Sequence, residues 1–140
     1  MSTEDLKATV SLDLHAAPQT VFAAWVEPPQ MERWLFKSPT NSLRAQSEPW
    51  PGGIFSIVEH EGSEVIAHHG RYVVCEAPTR LSFTLAVPRH FAGQARIDVT
   101  IRASGPGSHL DLRAGGAGPP DAQQLWEKMM AKLAEHLGAP

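Results

Sequence analysis

Apolar and polar residues alternate along most of the chain, a pattern typical of strands with one buried face. Between Leu6 and Leu14 every second residue is apolar, and the residues between them are polar. The alternation returns after Gly53, where turn residues such as Gly62 and Pro78 divide it into further strands. These strands are predicted at Ile54–His60, Ser63–Ala77, Arg80–Val87, Gln94–Ala103 and Ser108–Ala114, with a short edge strand near Leu43. A sheet with a single covered face must curl around another element.

Two segments change to a helical spacing of apolar residues. After the first strand, Pro18 suits the first turn of a short helix, and Pro28-Pro29 end it, with Pro29 opening a second one. The last segment runs from Asp121, a candidate N-cap, to Gly138, a stop signal. Its apolar stripe consists of Ala122, Leu125, Trp126, Met129, Leu133 and Leu137. The predicted class is α+β: a curved antiparallel sheet of six to seven strands wrapped on a long C-terminal helix.

Composition narrows the class of protein. A chain of 140 residues with 42% hydrophobic and 19% charged residues is expected to form a single domain over residues 1–140. The net charge of -3 gives no basic surface, so we expect no nucleic-acid partner. Apolar runs are too short to span a membrane, and the polar N-terminus lacks a signal-peptide core. Cys75 is the only cysteine, so an internal disulfide is excluded and a cytoplasmic location is predicted.

Two adjacent histidines, His68 and His69, raise the question of a metal site or an acid–base pair. Successive side chains of a strand point to opposite faces, so both cannot enter one site. Arg71 shares the face of His69, which places His69 outside and predicts that His68 and Tyr72 lie inside. His68 then has three interpretations: a core histidine with a polar partner, a group that orients a ligand, or an isolated metal ligand.

The sequence contains no motif of an established catalytic chemistry. H-E-x-x-H, C-x-x-C and G-x-S-x-G are all missing, and the glycine pairs lack the lysine of a phosphate-binding loop. Cys75 is expected to face outward with a structural role. A single acid–base group, His68 or Glu59, stays open as a catalytic candidate. We therefore predict no catalytic set, no metal and no cofactor.

Large apolar side chains on the predicted inner faces suit either a core or the wall of a ligand cavity. The loop Pro88–Gly93 and the segment Phe36–Ser42, which follows the short helices, are candidate lids over such a cavity. The residues predicted to contact a ligand are Trp34, Phe55, His68, Tyr72, Phe83 and Met129.

Five segments follow one another in a specific order: Ala17–Phe36, Pro51–Ile57, His68–Leu85, Gly107–Gly116 and Leu125–Leu137. In this order they resemble the START-like (SRPBCC) superfamily, in the branch similar to the C-terminal domain of the heat-shock-protein-90 ATPase activator. The resemblance implies the helix-grip fold, whose members use the space between sheet and C-terminal helix for sterols, polyketides, plant hormones or lipids. None of the five segments is a catalytic signature.

Three functions remain as hypotheses. The first, which we favour, is the binding of an apolar or aromatic small molecule between the sheet and the C-terminal helix. The second, implied only by the resemblance, is a co-chaperone contact with heat-shock protein 90. The third is a cyclase- or hydrolase-type reaction with His68 as the acid–base group, which requires a second inward polar residue. The expected partner is thus a small hydrophobic ligand or a chaperone, and the chain is expected to be a monomer or a homodimer.

Overall fold

A computed structural model describes residues 6–138, which form one seven-stranded sheet and three helices. The strands are β1 (Leu6–Leu14), β2 (Ser42–Ser47), β3 (Ile54–Glu61), β4 (Glu64–Glu76), β5 (Arg80–Leu85), β6 (Ala95–Ser104) and β7 (Gly107–Gly116). The helices are α1 (Pro18–Val26), α2 (Pro28–Trp34) and α3 (Ala122–His136). The predicted order of elements is confirmed, and the bounds differ from the prediction only at the ends of elements.

The sheet is antiparallel throughout, with the strand order β1-β7-β6-β5-β4-β3-β2. Consecutive strands from β2 to β7 are neighbours, and β1 lies at the edge next to β7. Helix α3 packs against β1 and α2, while α1 packs against β6 and β7. The three helices therefore cover the inner face of the curved sheet, which confirms the predicted α+β helix-grip architecture.

Prolines fix the positions of the two short helices. Pro18 begins α1, and Pro28, one residue earlier than predicted, begins α2. Between them Glu27 is extended, the conformation favoured for a residue that precedes proline. The indole rings of Trp25 and Trp34 then meet edge to face, with their centroids 4.8 Å apart. This contact holds the two helices together over the sheet.

The buried stripe of α3 differs from the predicted one. Its fully buried residues are Ala122, Trp126, Met130 and Leu133. Met130 thus replaces Met129 at the centre of the stripe, while Met129 is half-buried and Leu125 is exposed. Leu125 and Met129 lie one turn apart, on a flank of the helix rather than on its core-facing side. Asp121 occupies the N-cap position, but its side chain makes no capping hydrogen bond.

Gly70 in β4 allows a close approach that any larger residue prevents. A Cβ atom at this position would lie 1.8 Å from the backbone oxygen of Thr84 and 2.7 Å from the ring of Phe55. We therefore expect Gly70→Ala to lower the free energy of unfolding by about 2–3 kcal/mol, as measured by urea denaturation. In the control Gly62→Ala, no atom lies within 4 Å of the added methyl group, and only the positive φ of 60° is strained. Equal losses in the two variants would contradict this account.

Candidate functional site

A cavity of about 500 Å³ lies between α3 and the inner face of the sheet. This volume is in the range of small-molecule sites, which is about 300–1,000 Å³. Its apolar wall is formed by Phe36, Leu85, Val87, Phe91, Ala95, Ala114, Ala122, Leu125, Trp126 and Met129. The flank of α3 that carries Leu125 and Met129 therefore faces this cavity, and both residues stay partly accessible because the space beside them is not filled by protein.

Four basic side chains are part of the cavity lining. They are Lys7, Lys37, Lys128 and Lys132, and the acidic residues of the lining are Glu59 and Asp121. Lys37 is fixed in place, since its ammonium group donates to the backbone oxygens of Ser38 and Asn41. Among residues 6–138, no carboxylate lies within salt-bridge distance of the other three lysines. With these four lysines and only two acidic residues, the lining carries net positive charge.

A polar pair, buried His68 and half-buried Glu59, lies in the same lining. Nε2 of His68 is 3.0 Å from a carboxylate oxygen of Glu59. The sheet register explains the contact: Ile57 lies directly opposite His68, and Glu59 is two residues further along the same face of β3. The second oxygen of Glu59 accepts a hydrogen bond of 2.8 Å from the side-chain amide of Asn41. Only 3% of His68 is exposed, and within the described chain its Nδ1 has no hydrogen-bond partner.

Phe36 covers the imidazole of His68. The two rings are stacked, with centroids 4.0 Å apart and an interplanar angle of 19°. Phe36 follows α2 directly and adopts a φ of 64°, a left-handed conformation that costs a residue with a side chain about 1–2 kcal/mol. Its backbone N–H donates to the sulfur of Met129 at 3.1 Å. A strained residue that is held by its surroundings and lines a cavity is typical of a functional site.

Burial lowers the pKa of His68 below its ordinary value of 6.5, because the charged imidazolium loses its contact with water. The neighbouring carboxylate of Glu59 acts in the opposite direction, but its influence on the pKa is smaller. The imidazole is therefore neutral near pH 7. A neutral ring whose Nε2 contacts a carboxylate carries its proton on Nε2, which leaves Nδ1 as an acceptor.

This lowered pKa predicts how stability depends on pH. The unfolded chain protonates His68 near pH 6.5, whereas the folded protein resists protonation until a lower pH, so stability is lost as the pH falls below 6.5. The slope from one proton reaches at most about 1.4 kcal/mol per pH unit. We expect His68→Gln to remove this part of the acid sensitivity, measured by urea denaturation at about pH 7.5, 6.5 and 5.5. The control His69→Gln changes an exposed residue and should follow the wild type; identical profiles for His68→Gln and wild type would contradict the assignment.

Two of the six predicted ligand contacts, His68 and Met129, line the cavity. Three others, Phe55, Tyr72 and Phe83, pack against one another, with ring centroids 5.3 to 6.3 Å apart, and surround a void of only about 10 Å³. That void is also lined by Trp25 of α1 and Met31 of α2. The short helices, together with Trp126 of α3, therefore cover this part of the sheet. Strand alternation indicates the face of a residue but not the helix above it.

Trp34 and Tyr72 have structural partners instead of a place in the cavity. The indole N–H of Trp34 donates to the backbone oxygen of Ala24 at 2.9 Å. The hydroxyl of Tyr72 is 2.8 Å from that of Ser47, and burial raises the pKa of Tyr72 to about 12. Both rings are almost completely buried. We therefore place Trp34 and Tyr72 in the core.

Two residues of the cavity lining, Glu59 and Phe36, are not among the six predicted ligand contacts, although Glu59 is the alternative acid–base candidate and Phe36 begins the second predicted lid segment. Glu59 shares the alternation of Phe55 and Ile57 on β3, so its inward position follows from the same parity rule that identified His68. It is the second inward polar group that acid–base chemistry at His68 requires, and that chemistry stays a prediction. The predicted lid segment includes Phe36, but the contact of its ring with His68 depends on a left-handed φ that the sequence does not indicate.

The remaining reactive groups do not form a further site. Within residues 6–138, no three His, Cys, Asp or Glu side chains are close enough to hold a metal ion. Cys75 is half-buried rather than outward-facing, its thiol donates to the backbone oxygen of Pro49 at 3.1 Å, and burial raises its pKa. None of the helices in that range is long and apolar enough to cross a membrane.

The sequence model of one protein family matches residues 15–138, and its description is Activator of Hsp90 ATPase homolog 1-like protein. The chain belongs to this family. Membership agrees with the START-like resemblance and with the observed helix-grip fold. None of the curated proteins matches the chain.

Solved structures share the fold over nearly the whole chain. Protein CV1439 from Chromobacterium violaceum superposes with a TM-score of 0.80 at 20% identity, covering 95% of this chain and 99% of that one. The AHSA1-like protein from Aeromonas hydrophila has a TM-score of 0.79 at 21% identity, with 94% and 92% covered. CalU16 from Micromonospora echinospora has a TM-score of 0.68 at 16% identity, with 93% and 74% covered. At identities of 16–21%, these similarities show a shared fold and say nothing further about this chain.

Proposed function

We propose that the protein binds an apolar or aromatic small molecule in the cavity between α3 and the sheet. The observation that carries this proposal is a mostly apolar cavity of about 500 Å³ with one polar pair, His68 and Glu59, in its wall. Ligand sites typically combine a mostly apolar lining with a few placed polar groups. The contacts we propose are Phe36, His68, Val87, Leu125, Trp126 and Met129.

The character of the wall supports a binding role. Met129 has an unbranched, adaptable side chain, and Leu125 and Phe91 are only partly buried beside the cavity. An exposed leucine next to an apolar cavity gains contacts when a ligand covers it, which favours binding. The lysines of the lining add attraction for a molecule with a polar or anionic end.

Titration with N-phenyl-1-naphthylamine, a neutral apolar probe that fluoresces in apolar surroundings, tests this proposal. We expect saturable binding of one probe per chain and a melting temperature that rises with probe concentration, because binding to the folded state alone stabilises it. Trp126 lines the cavity, so its emission should decrease as the probe binds. Linear, non-saturating emission together with an unchanged melting temperature would contradict the proposal.

The description of the family favours a second candidate function, a contact with the chaperone Hsp90. An activator of this kind should accelerate ATP hydrolysis by purified Hsp90 without any small ligand. The same assay in the presence of saturating N-phenyl-1-naphthylamine distinguishes the two candidates. Acceleration that is independent of the probe, combined with an absence of probe binding, would replace the first proposal with the second.

A further inference from the structure

The ring of His68 presents one nitrogen with a partner and one without. Nε2 is held by Glu59 at 3.0 Å, whereas Nδ1 is buried and has no hydrogen-bond partner among the described residues. Buried polar atoms nearly always have a partner, and each exception requires an explanation. Since His68 lines the cavity, a molecule bound there is the natural partner for Nδ1.

The chain of hydrogen bonds behind His68 fixes which kind of partner is needed. Asn41 donates from its amide nitrogen to the backbone oxygen of Phe36 and to Glu59, and its amide oxygen accepts from the backbone N–H of Ser38. This pattern determines the orientation of the Asn41 amide. Glu59 is left with one oxygen to accept from Nε2–H of His68. Nδ1 must then be an acceptor.

We propose that the bound molecule carries a hydroxyl group and donates its hydrogen bond to Nδ1 of His68. This inference rests on the proposed function, and it names the ligand class as an apolar body with a phenol, enol or alcohol group. An ether or carbonyl oxygen at this point would place its lone pairs against the lone pair of Nδ1. A carboxylate would in addition be repelled by the negative charge of Glu59. Ligands that present an ether, a carbonyl or a carboxylate group to Nδ1 should therefore bind less tightly than ligands that present a hydroxyl group.

Access to Nδ1 requires movement of side chains, since the atom is covered in the free protein. Phe36 and Met129 are suited to this movement: both are half-buried, and Phe36 lies outside the helices and strands. Their contact through the backbone N–H of Phe36 and the sulfur of Met129 is a weak hydrogen bond. These two side chains, which both line the cavity, are the ones we expect to move when a ligand reaches Nδ1.

A pair of matched probes tests the inference. 2-Naphthol and 2-methoxynaphthalene share one apolar body, but only the first can donate a hydrogen bond. We expect the wild-type protein to bind 2-naphthol more tightly by about tenfold or more, because the methoxy compound leaves Nδ1 unpartnered. Affinities are measured at neutral pH by isothermal titration.

The variant Glu59→Gln is expected to change which of the two probes is preferred, and not only to weaken binding. Asn41 continues to donate to the side-chain oxygen at position 59, which turns the amide NH₂ of glutamine toward Nε2 of His68. Nε2 must then accept, and the proton moves to Nδ1, which becomes a donor. We expect the preference for 2-naphthol to shrink or reverse in favour of 2-methoxynaphthalene. If Glu59 had a purely structural role, the substitution would lower the affinities for both probes by the same factor.

The outcomes separate this inference from the function on which it rests. Equal affinities for the two probes in the wild type, each with one site per chain, would overturn the hydroxyl inference and leave the binding function intact. Binding of neither probe would overturn both. If Glu59→Gln fails to fold, His68→Phe retains an aromatic ring beneath Phe36 and removes the acceptor, and it should abolish the preference while 2-methoxynaphthalene still binds.

Discussion

Replacing Trp34 with alanine is expected to lower the free energy of unfolding by about 3–5 kcal/mol. Only 1% of this residue is exposed. The substitution removes the edge-to-face contact with Trp25 and leaves the buried backbone oxygen of Ala24 without its donor. Urea denaturation monitored by circular dichroism measures the loss. The control Trp50→Ala makes the same change at a residue that is 55% exposed, and it should cost at most about 0.5 kcal/mol.

The same position tests whether Trp34 contacts a ligand. Trp34→Phe keeps an aromatic ring against Trp25 and loses the hydrogen bond to Ala24, so it should fold with a smaller loss of stability. Because Trp34 does not line the cavity, we expect Trp34→Phe to bind N-phenyl-1-naphthylamine with the affinity of the wild type. A clear weakening of probe binding in this folded variant would indicate that Trp34 contacts the ligand after all.

A substitution that fills the cavity with a larger side chain is expected to have the largest effect on ligand binding. Val87 is buried and lines the cavity, so Val87→Trp places a two-ring side chain into the space that the ligand requires. We expect affinity for N-phenyl-1-naphthylamine to fall about 100-fold or more, equivalent to about 2.7 kcal/mol. The fluorescence titration described above measures this change, and near-ultraviolet circular dichroism verifies that the variant keeps its tertiary packing.

The chain offers a matched control for this variant. Val65 is 54% exposed on the outer face of β4, so Val65→Trp makes the same substitution on the side of the sheet that faces away from the cavity. It should bind the probe as the wild type does. Undiminished binding by a folded Val87→Trp protein would show that the probe occupies another site.

The fold could be predicted because local patterns and the global architecture agree. Strict alternation from Leu6 to Leu14 defines a strand with one buried face, and Pro18 and Pro28 set the starts of the short helices. The stripe on α3 was predicted less accurately: Met129 and Met130 are adjacent, and helical spacing alone does not decide which of them faces the core. The packing of α3 on β1 and α2 decides it.

The candidate site could be predicted only in part. Parity on β4 correctly puts His68 inside and His69 outside, and the same rule on β3 puts the acid–base candidate Glu59 on the inner face as well. The rule could not separate residues around the small void, such as Phe55, from residues that line the large cavity, because this depends on the arrangement of helices over the sheet. Phe36 lies in a predicted lid segment, but its contact with His68 could not be predicted, since it requires a left-handed backbone that its side chain does not favour.

Comparison of native and denaturing mass spectra of the freshly purified protein tests the binding function most directly. If the cavity of about 500 Å³ holds a small molecule, the native spectrum shows an added mass that disappears on denaturation, and Val87→Trp lacks this mass while Val65→Trp retains it. The added mass also gives the mass of the ligand, which restricts the compounds to be compared with the proposed hydroxyl class. A bare chain at its sequence mass, both as purified and after addition of N-phenyl-1-naphthylamine, would contradict the account.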